Sequence, residues 1–258
     1  MGCCSISNKS KFEELCILTV YFNASKNERR KKLHIDFIKR FKQFAGIKII
    51  TIECAFDDDP FELIDNKRDS ELIRIRAHSK IWLKENLLNI ALKKLFKNKS
   101  FRKYCRYVAW IDDDIEFVEN DWVSKLRESL QKFQIVQLFK EALFLDNNGN
   151  VLEKHTSFGY YYSTKMLKLE NNEYPHPGYG WCTTSENLFK IGQLFDYGIL
   201  GNGDKHMAYA LIGDYLESFP KNLCFNENYK TTLKNWQNKA INIFQKKVGF
   251  VDVTIKHH

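Results

Sequence analysis

The sequence predicts an α/β fold with a mixed, mainly parallel central sheet flanked by helices. Short apolar runs rich in β-branched residues alternate with longer amphipathic stretches along the first 111 residues. Each predicted strand leads into polar residues, at Asn23, Asp57 and Asp112. The order strand, helix, strand, helix, strand builds a parallel sheet through right-handed crossovers. In such sheets ligands bind outside the carboxyl ends of the strands.

Leu15 to Phe22 is a buried strand by its apolar, β-branched composition, and Asn23-Ala24-Ser25 ends it. From Glu28 to Phe44, Leu33, Phe37, Phe41 and Phe44 recur at helical spacing, and Gly46 follows. Ile47 to Ile52 is the second strand and runs into the acidic turn Asp57-Asp58-Asp59-Pro60. His78 to Phe96 reads as a helix with Ile81, Leu88, Leu92 and Leu95 on one side. Arg106 to Ile111 is the third strand. A helix from about Asp121 to Phe133 follows, then Ile135 to Asp146, the turn Asn147-Asn148-Gly149-Asn150 and a restart at Val151, which together read as a hairpin. Pro175 to Trp181 reads as an aromatic loop. Gly201-Asn202-Gly203-Asp204 precedes a helix from about Lys205 to Leu211, and Asn228 to Val248 is a further helix. Val251 to Ile255 is a last strand leading to His257 and His258.

The third strand carries the chemistry. Its apolar run stops at Asp112-Asp113-Asp114 and resumes with Ile115. Adjacent carboxylates repel one another, so the cluster costs stability without a cation beside it. Asp-x-Asp at a strand end offers hard oxygen ligands that suit Mg²⁺ or Mn²⁺. The plainer alternative is an acidic turn, or an acidic cap for the helix near Trp122.

Composition narrows the setting. The 258 residues are 44% hydrophobic and 14% aromatic, with 4 Pro, 12 Gly and no low-complexity linker. This predicts one domain, residues 15–258, behind a flexible start, residues 1–14. No apolar run approaches the ~20 residues that span a bilayer. There is no secretory leader pattern, and Ile6 stands where an acylation signal beginning Met1-Gly2 wants Ser or Thr. Of the seven cysteines no two have zinc-site spacing; Cys16, Cys54 and Cys105 lie in apolar runs, as small buried residues of a reducing compartment do. A cytoplasmic location is expected. The formal charge of +8 comes from Lys and Arg scattered over helix faces, which favours a solvated surface, suited also to a polyphosphate, over a nucleic-acid groove.

Taken with their order and spacing, the motifs resemble a family. Trp82 to Asn89, Tyr107 to Asp114, Phe158-Gly159-Tyr160, His176 to Trp181 and Leu194 to Ala208 together resemble GT-A nucleotide-sugar glycosyltransferases, and are most similar to the domains encoded by large DNA viruses. The match runs from about Leu15 onward. It implies a GT-A fold and a sugar transfer from a nucleoside diphosphate donor, UDP-sugar favoured, to a glycan or other hydroxyl acceptor, of the hexosyl- or deoxyhexosyltransferase class. A virally encoded enzyme of this kind would work in the host cytoplasm.

The resemblance also implies roles. Asp112, Asp114 and His257 would hold Mn²⁺ or Mg²⁺. Asn23, Asp57, Arg76, Lys80, Asp112 and Asp113 would meet the nucleotide, and Tyr179, Trp181, Gly203 and His206 the sugar. Asp204 would be the base of an inverting reaction. Each has a plainer counterpart. Asp204 caps a helix, Trp181 is a core residue, His206 is an ordinary helix residue, Arg76 and Lys80 are surface cations, and His257-His258 begin a purification tag. The family pattern also continues past His258. A nucleotidyltransferase would want a Gly-rich phosphate loop after the first strand, which Asn23-Ala24-Ser25 lacks. A two-ion nuclease would need a second acidic set, for which Asp57 to Asp59 is the candidate. A lectin-like or nucleic-acid-binding module would need neither Asp-x-Asp nor Asp204.

Overall fold

The computed structural model describes residues 14–65, 70–164 and 175–258, the side chains at 100, 102 and 103 excepted. The expected flexible start lies outside the described residues up to residue 13.

Eleven strands and eight helices are described. They run β1 (Leu15–Phe22), α1 (Glu28–Phe41), β2 (Ile47–Phe56), β3 (Glu71–Ala77), α2 (Lys84–Lys97), α3 (Lys99–Tyr104), β4 (Tyr107–Ile111) and β5 (Ile115–Phe117). Then come α4 (Trp122–Lys132), β6 (Ile135–Gln137), β7 (Glu141–Leu145), β8 (Val151–Thr156), α5 (Phe158–Ser163), β9 (Gly180–Thr184) and α6 (Ser185–Ile191). α7 (Gly203–Ile212), α8 (Glu227–Phe244), β10 (Val248–Phe250) and β11 (Thr254–His257) complete the chain.

A seven-stranded sheet has the order β10-β6-β9-β4-β1-β2-β3. β1, β2, β3 and β4 are mutually parallel, as are β6 and β10. β9 alone is antiparallel to its neighbours. The protein is thus a mixed α/β fold with a mainly parallel central sheet. Strand alternation sorts its side chains to two faces. Cys16, Leu18, Val108 and Trp110 pack with α2, α6, α7 and α8 on one face. Leu15, Ile17, Ala109 and Ile111 pack with Phe37, Phe41, Trp122 and Leu126 from α1 and α4 on the other. A smaller sheet, β5-β11-β7-β8, contains the expected hairpin, whose turn closes on the Asp146 carboxylate through the Asn148 and Asn150 N–H groups.

Element boundaries differ from expectation in three informative places. The helix expected from His78 starts at Lys84, and the preceding residues leave Ile81 39% and Trp82 44% exposed. β3 was hidden by its charges: Glu71, Arg74 and Arg76 alternate with Leu72, Ile73 and Ile75 on an edge strand, where charge protects against further pairing. The end of the aromatic loop is β9, so Trp181 is a strand residue paired with Trp110 and Gln137. Cys16, Cys54 and Cys105 are buried as expected. Among the described residues no helix is long and apolar enough to cross a membrane.

Candidate functional site

The Asp112 N–H donates to the Tyr179 carbonyl, one step beyond the last β4–β9 pair, so the three carboxylates leave the sheet together. They then part company. Asp112 Oδ1 lies 2.5 Å from Lys84 Nζ at the start of α2. Asp113 is fully buried against α1, with Arg30 at 2.5 Å and His34 Nδ1 at 2.9 Å. His34 Nε2 reaches Thr51 Oγ1 at 3.4 Å. Asp113 therefore has no surface to offer a nucleotide, which corrects the expectation for it. Its charge anchors α1 to the acidic loop.

Asp114 turns toward the C-terminal strand. β11 pairs with β5 so that His257 stands opposite Ile115, and the His258 N–H donates to the Asp114 carbonyl. His257 Nε2 lies 3.6 Å from Asp114 Oδ1, and Arg30 lies 3.2 Å from Oδ2. Burial works to raise the Asp114 pKa, but His257 and Arg30 outweigh it and hold the carboxyl below its ordinary range. Asp112 shifts the other way: burial raises it, and Asp114 and Asp204 add to this against Lys84. Asp114 Oδ1 and His257 Nδ1 are both buried without a hydrogen-bond partner.

As placed, among the described residues no three His, Cys, Asp or Glu side chains converge to hold an ion. Lys84 and Arg30 sit against the carboxylates instead. The donors nevertheless suit a hard divalent cation: two carboxylates, an imidazole, and a buried carboxylate oxygen lacking a partner.

Asp204 lies in the first turn of α7, after Asn202 in a left-handed conformation (φ 66°). Its Oδ1 accepts from the Lys205 N–H, and its Oδ2 lies against Gly178, where a Cβ would stand 2.7 Å from Oδ2 and 2.9 Å from His176 Cε1. The field of Asp204 acts on Asp112, Lys84, Glu85 and His176, so these groups share one neighbourhood. Burial lifts the Glu85 carboxyl to about 7, with Lys84 opposing and Asp204 adding. His176 packs parallel to Tyr179 at 4.0 Å and to His155 at 5.0 Å; burial first, then His155, pushes it down to about 4. Buried Gln137 fixes this loop by donating to the His176 and Gly178 carbonyls and accepting from Gly159 N–H.

The four residues expected to meet the sugar are all buried. Trp181 is 3% exposed, and its indole N–H donates to the Pro177 carbonyl; it is core because β9 is central. Tyr179 is 6% exposed, enclosed by His176, His257 and Phe139, with its hydroxyl on His155 Nδ1. Gly203 is small because Glu85 needs the space: a Cβ there would lie 2.7 Å from the Glu85 carboxyl carbon. His206 is 3% exposed, bonded to Ser218 Oγ at 2.7 Å among Phe195, Phe219 and Tyr229.

The expected nucleotide residues sit at the carboxyl ends of β1 to β3. Asn23 donates to Glu62 at 3.0 Å and accepts from Asn27 N–H at 2.9 Å. Asp57 has positive φ (47°), and Arg76 donates to the carbonyls of Asp57 and Asp59. Lys80 is exposed. A small pocket lies here, lined in part by Tyr21, Asn23, Glu53 and Glu62. Sequence reasoning missed Glu53, Glu62, Arg30, His34, Lys84 and Glu85. Glu53 is 1% exposed and accepts from the Glu62 and Leu63 N–H groups, shaping the cavity wall. A carboxylate inside an apolar strand run was the available signal for it.

No protein-family model matches the chain, and no curated protein does. Solved structures match weakly. One described as a nucleotide-diphospho-sugar transferase from Desulfovibrio desulfuricans G20 is 10% identical, over 95% of this chain and 82% of that one, with a TM-score of 0.42. A mannosyltransferase from Pyrobaculum calidifontis, in complex with GDP-Man and Mn²⁺, is 12% identical over 78% of this chain and 53% of that one, TM-score 0.43. A 4-diphosphocytidyl-2C-methyl-D-erythritol synthase from Anaerococcus prevotii is 12% identical over 95% and 90%, TM-score 0.42. Likeness this weak carries no weight for activity.

Proposed function

We propose that this protein is a divalent-metal-dependent GT-A glycosyltransferase, moving a sugar from a nucleoside diphosphate, UDP favoured, to a hydroxyl acceptor with inversion. The observation that carries it is the meeting of Asp114 with His257 from the far end of the chain. Two buried atoms there lack hydrogen-bond partners, and Asp112 and Asp204 stand in the same neighbourhood. Asp112, Asp114 and His257 would hold Mn²⁺ or Mg²⁺. A bound ion of this kind neutralises the charge that develops on a departing diphosphate.

The chain's own residues supply the rest. Asn23, Asp57, Arg76 and Lys80 line the side of the sheet where the base and ribose would lie. Lys84 and Arg30 add positive charge beside the diphosphate. Asp204 would take the proton from the acceptor hydroxyl; its fixing between Gly178 and the α7 N-terminus keeps that oxygen in one position. A carboxylate placed to act as base, as Asp204 is, suits inversion.

Calorimetric titration of UDP, GDP and dTDP, with and without Mn²⁺, tests the reading on the intact protein and on Asp114→Ala. Tight binding of one nucleotide that needs both the ion and Asp114 is expected. Binding indifferent to both would refute it.

A further inference from the structure

Lys84 is the cation set against Asp112 in the acidic site. It opens α2, its side chain is 13% exposed, and its ammonium lies 2.5 Å from Asp112 Oδ1. Its position is set from behind: Leu87 and Leu88 on the next turn are buried in the core. The ammonium is thus delivered to the acidic loop by a rigid element, not by a mobile surface arm.

We propose that Lys84 is a built-in counter-ion of Asp112 which a divalent cation must displace, so that the ion-free chain keeps its acidic site closed by an internal ion pair. The inference rests on the metal-dependent reading above. A cation bound to Asp112 would sit ~2.1 Å from a carboxylate oxygen that the ammonium already approaches. Two like charges would then share one oxygen in a mostly buried place, and repulsion at that separation is far stronger than in water. Two other carboxylates act on the same ammonium, Asp204 and Glu85, and offer it alternative partners. Gly203, by leaving room for the Glu85 carboxyl, keeps that second partner at the α7 N-terminus. Ion binding would accordingly move positive charge from Asp112 toward Asp204.

The test is Mn²⁺ alone, without nucleotide, titrated into the intact protein while free Mn²⁺ is read by electron paramagnetic resonance. The variants are Lys84→Met, Lys84→Gln, Lys84→Arg and, as reference, Asp114→Asn. Glutamine keeps a hydrogen bond to Asp112 and guards against a methionine variant that fails to fold. The neutral variants should bind Mn²⁺ roughly tenfold more tightly than wild type, the arginine variant should not, and Asp114→Asn should lose the ion. Unchanged or weaker binding in both neutral variants, with Asp114→Asn still losing the ion, would overturn the counter-ion role and leave the metal site standing. No Mn²⁺ binding in any of the proteins would overturn both.

Discussion

Asp113→Asn should destabilise the protein without touching its ligand chemistry. Asp113 is 0% exposed and lies 2.5 Å from Arg30 and 2.9 Å from His34. Breaking a buried ion pair by removing one partner costs about 3–5 kcal/mol. Two features move this toward the lower end. Arg30 is 28% exposed and keeps Asp114 at 3.2 Å, and an asparagine oxygen can still accept from His34. A loss of about 3 kcal/mol follows, or a fall in Tm of roughly 6–12 °C for a chain of this size. Urea unfolding followed by circular dichroism measures it. Asp114→Asn gives the contrast: its charge neighbours include Asp112, so removing it relieves repulsion as it loses Arg30 and His257, and stability should change by less than about 1 kcal/mol while nucleotide binding with Mn²⁺ collapses. Equal stability of Asp113→Asn and wild type, or loss of nucleotide binding in it at full stability, would refute the division of labour among the three carboxylates.

Other consequences follow from the same geometry. Glu85, lifted to about 7 from 4.5, stabilises the fold most below pH 4.5 and loses that contribution as pH rises through 7; Glu85→Gln should therefore gain up to ~3 kcal/mol on wild type between those pH values, read by urea unfolding at each pH. His206, held down at about 4, works oppositely: its contribution is present above pH 6.5 and lost as pH falls through 4, so His206→Asn should flatten the acid limb of stability over that range. Trp181→Ala should cost about 3–5 kcal/mol, as for a core aromatic, whereas an exposed sugar platform would cost little; thermal unfolding distinguishes them. Gly178→Ala puts a methyl 2.7 Å from Asp204 Oδ2, so turnover of a donor sugar should fall at least tenfold while Mn²⁺-dependent UDP binding is kept.

How far the sequence could be read depended on whether a residue's role was local. β1 and β4 were legible as short, almost wholly apolar runs, and the acidic loop stood out because adjacent carboxylates at a strand end need a reason. Asp113 was not, because its partners lie 79 and more residues earlier, on a helix whose docking no local pattern reveals. Lys84 and Glu85 were given no role, since a Lys-Glu pair at a helix start is ordinary until Asp112 and Gly203 are set against it. Trp181 was placed in a loop by the glycine and proline around it, while the pairing of β9 in mid-sheet makes it a core strand residue. β3 escaped notice because an edge strand carries the charges usually taken for solvent-facing structure.

In the proposed enzyme Asp112, Asp114 and His257 would hold a divalent ion beneath a nucleoside diphosphate. The most direct measurement is anomalous diffraction at the manganese edge from crystals grown with Mn²⁺ and UDP. A single peak in contact with Asp114 and His257, with Lys84 withdrawn from Asp112 and the diphosphate bound across the ion, is the predicted result. A peak elsewhere, or UDP bound at the sheet ends with the Lys84–Asp112 pair intact and no ion beside it, would contradict the account.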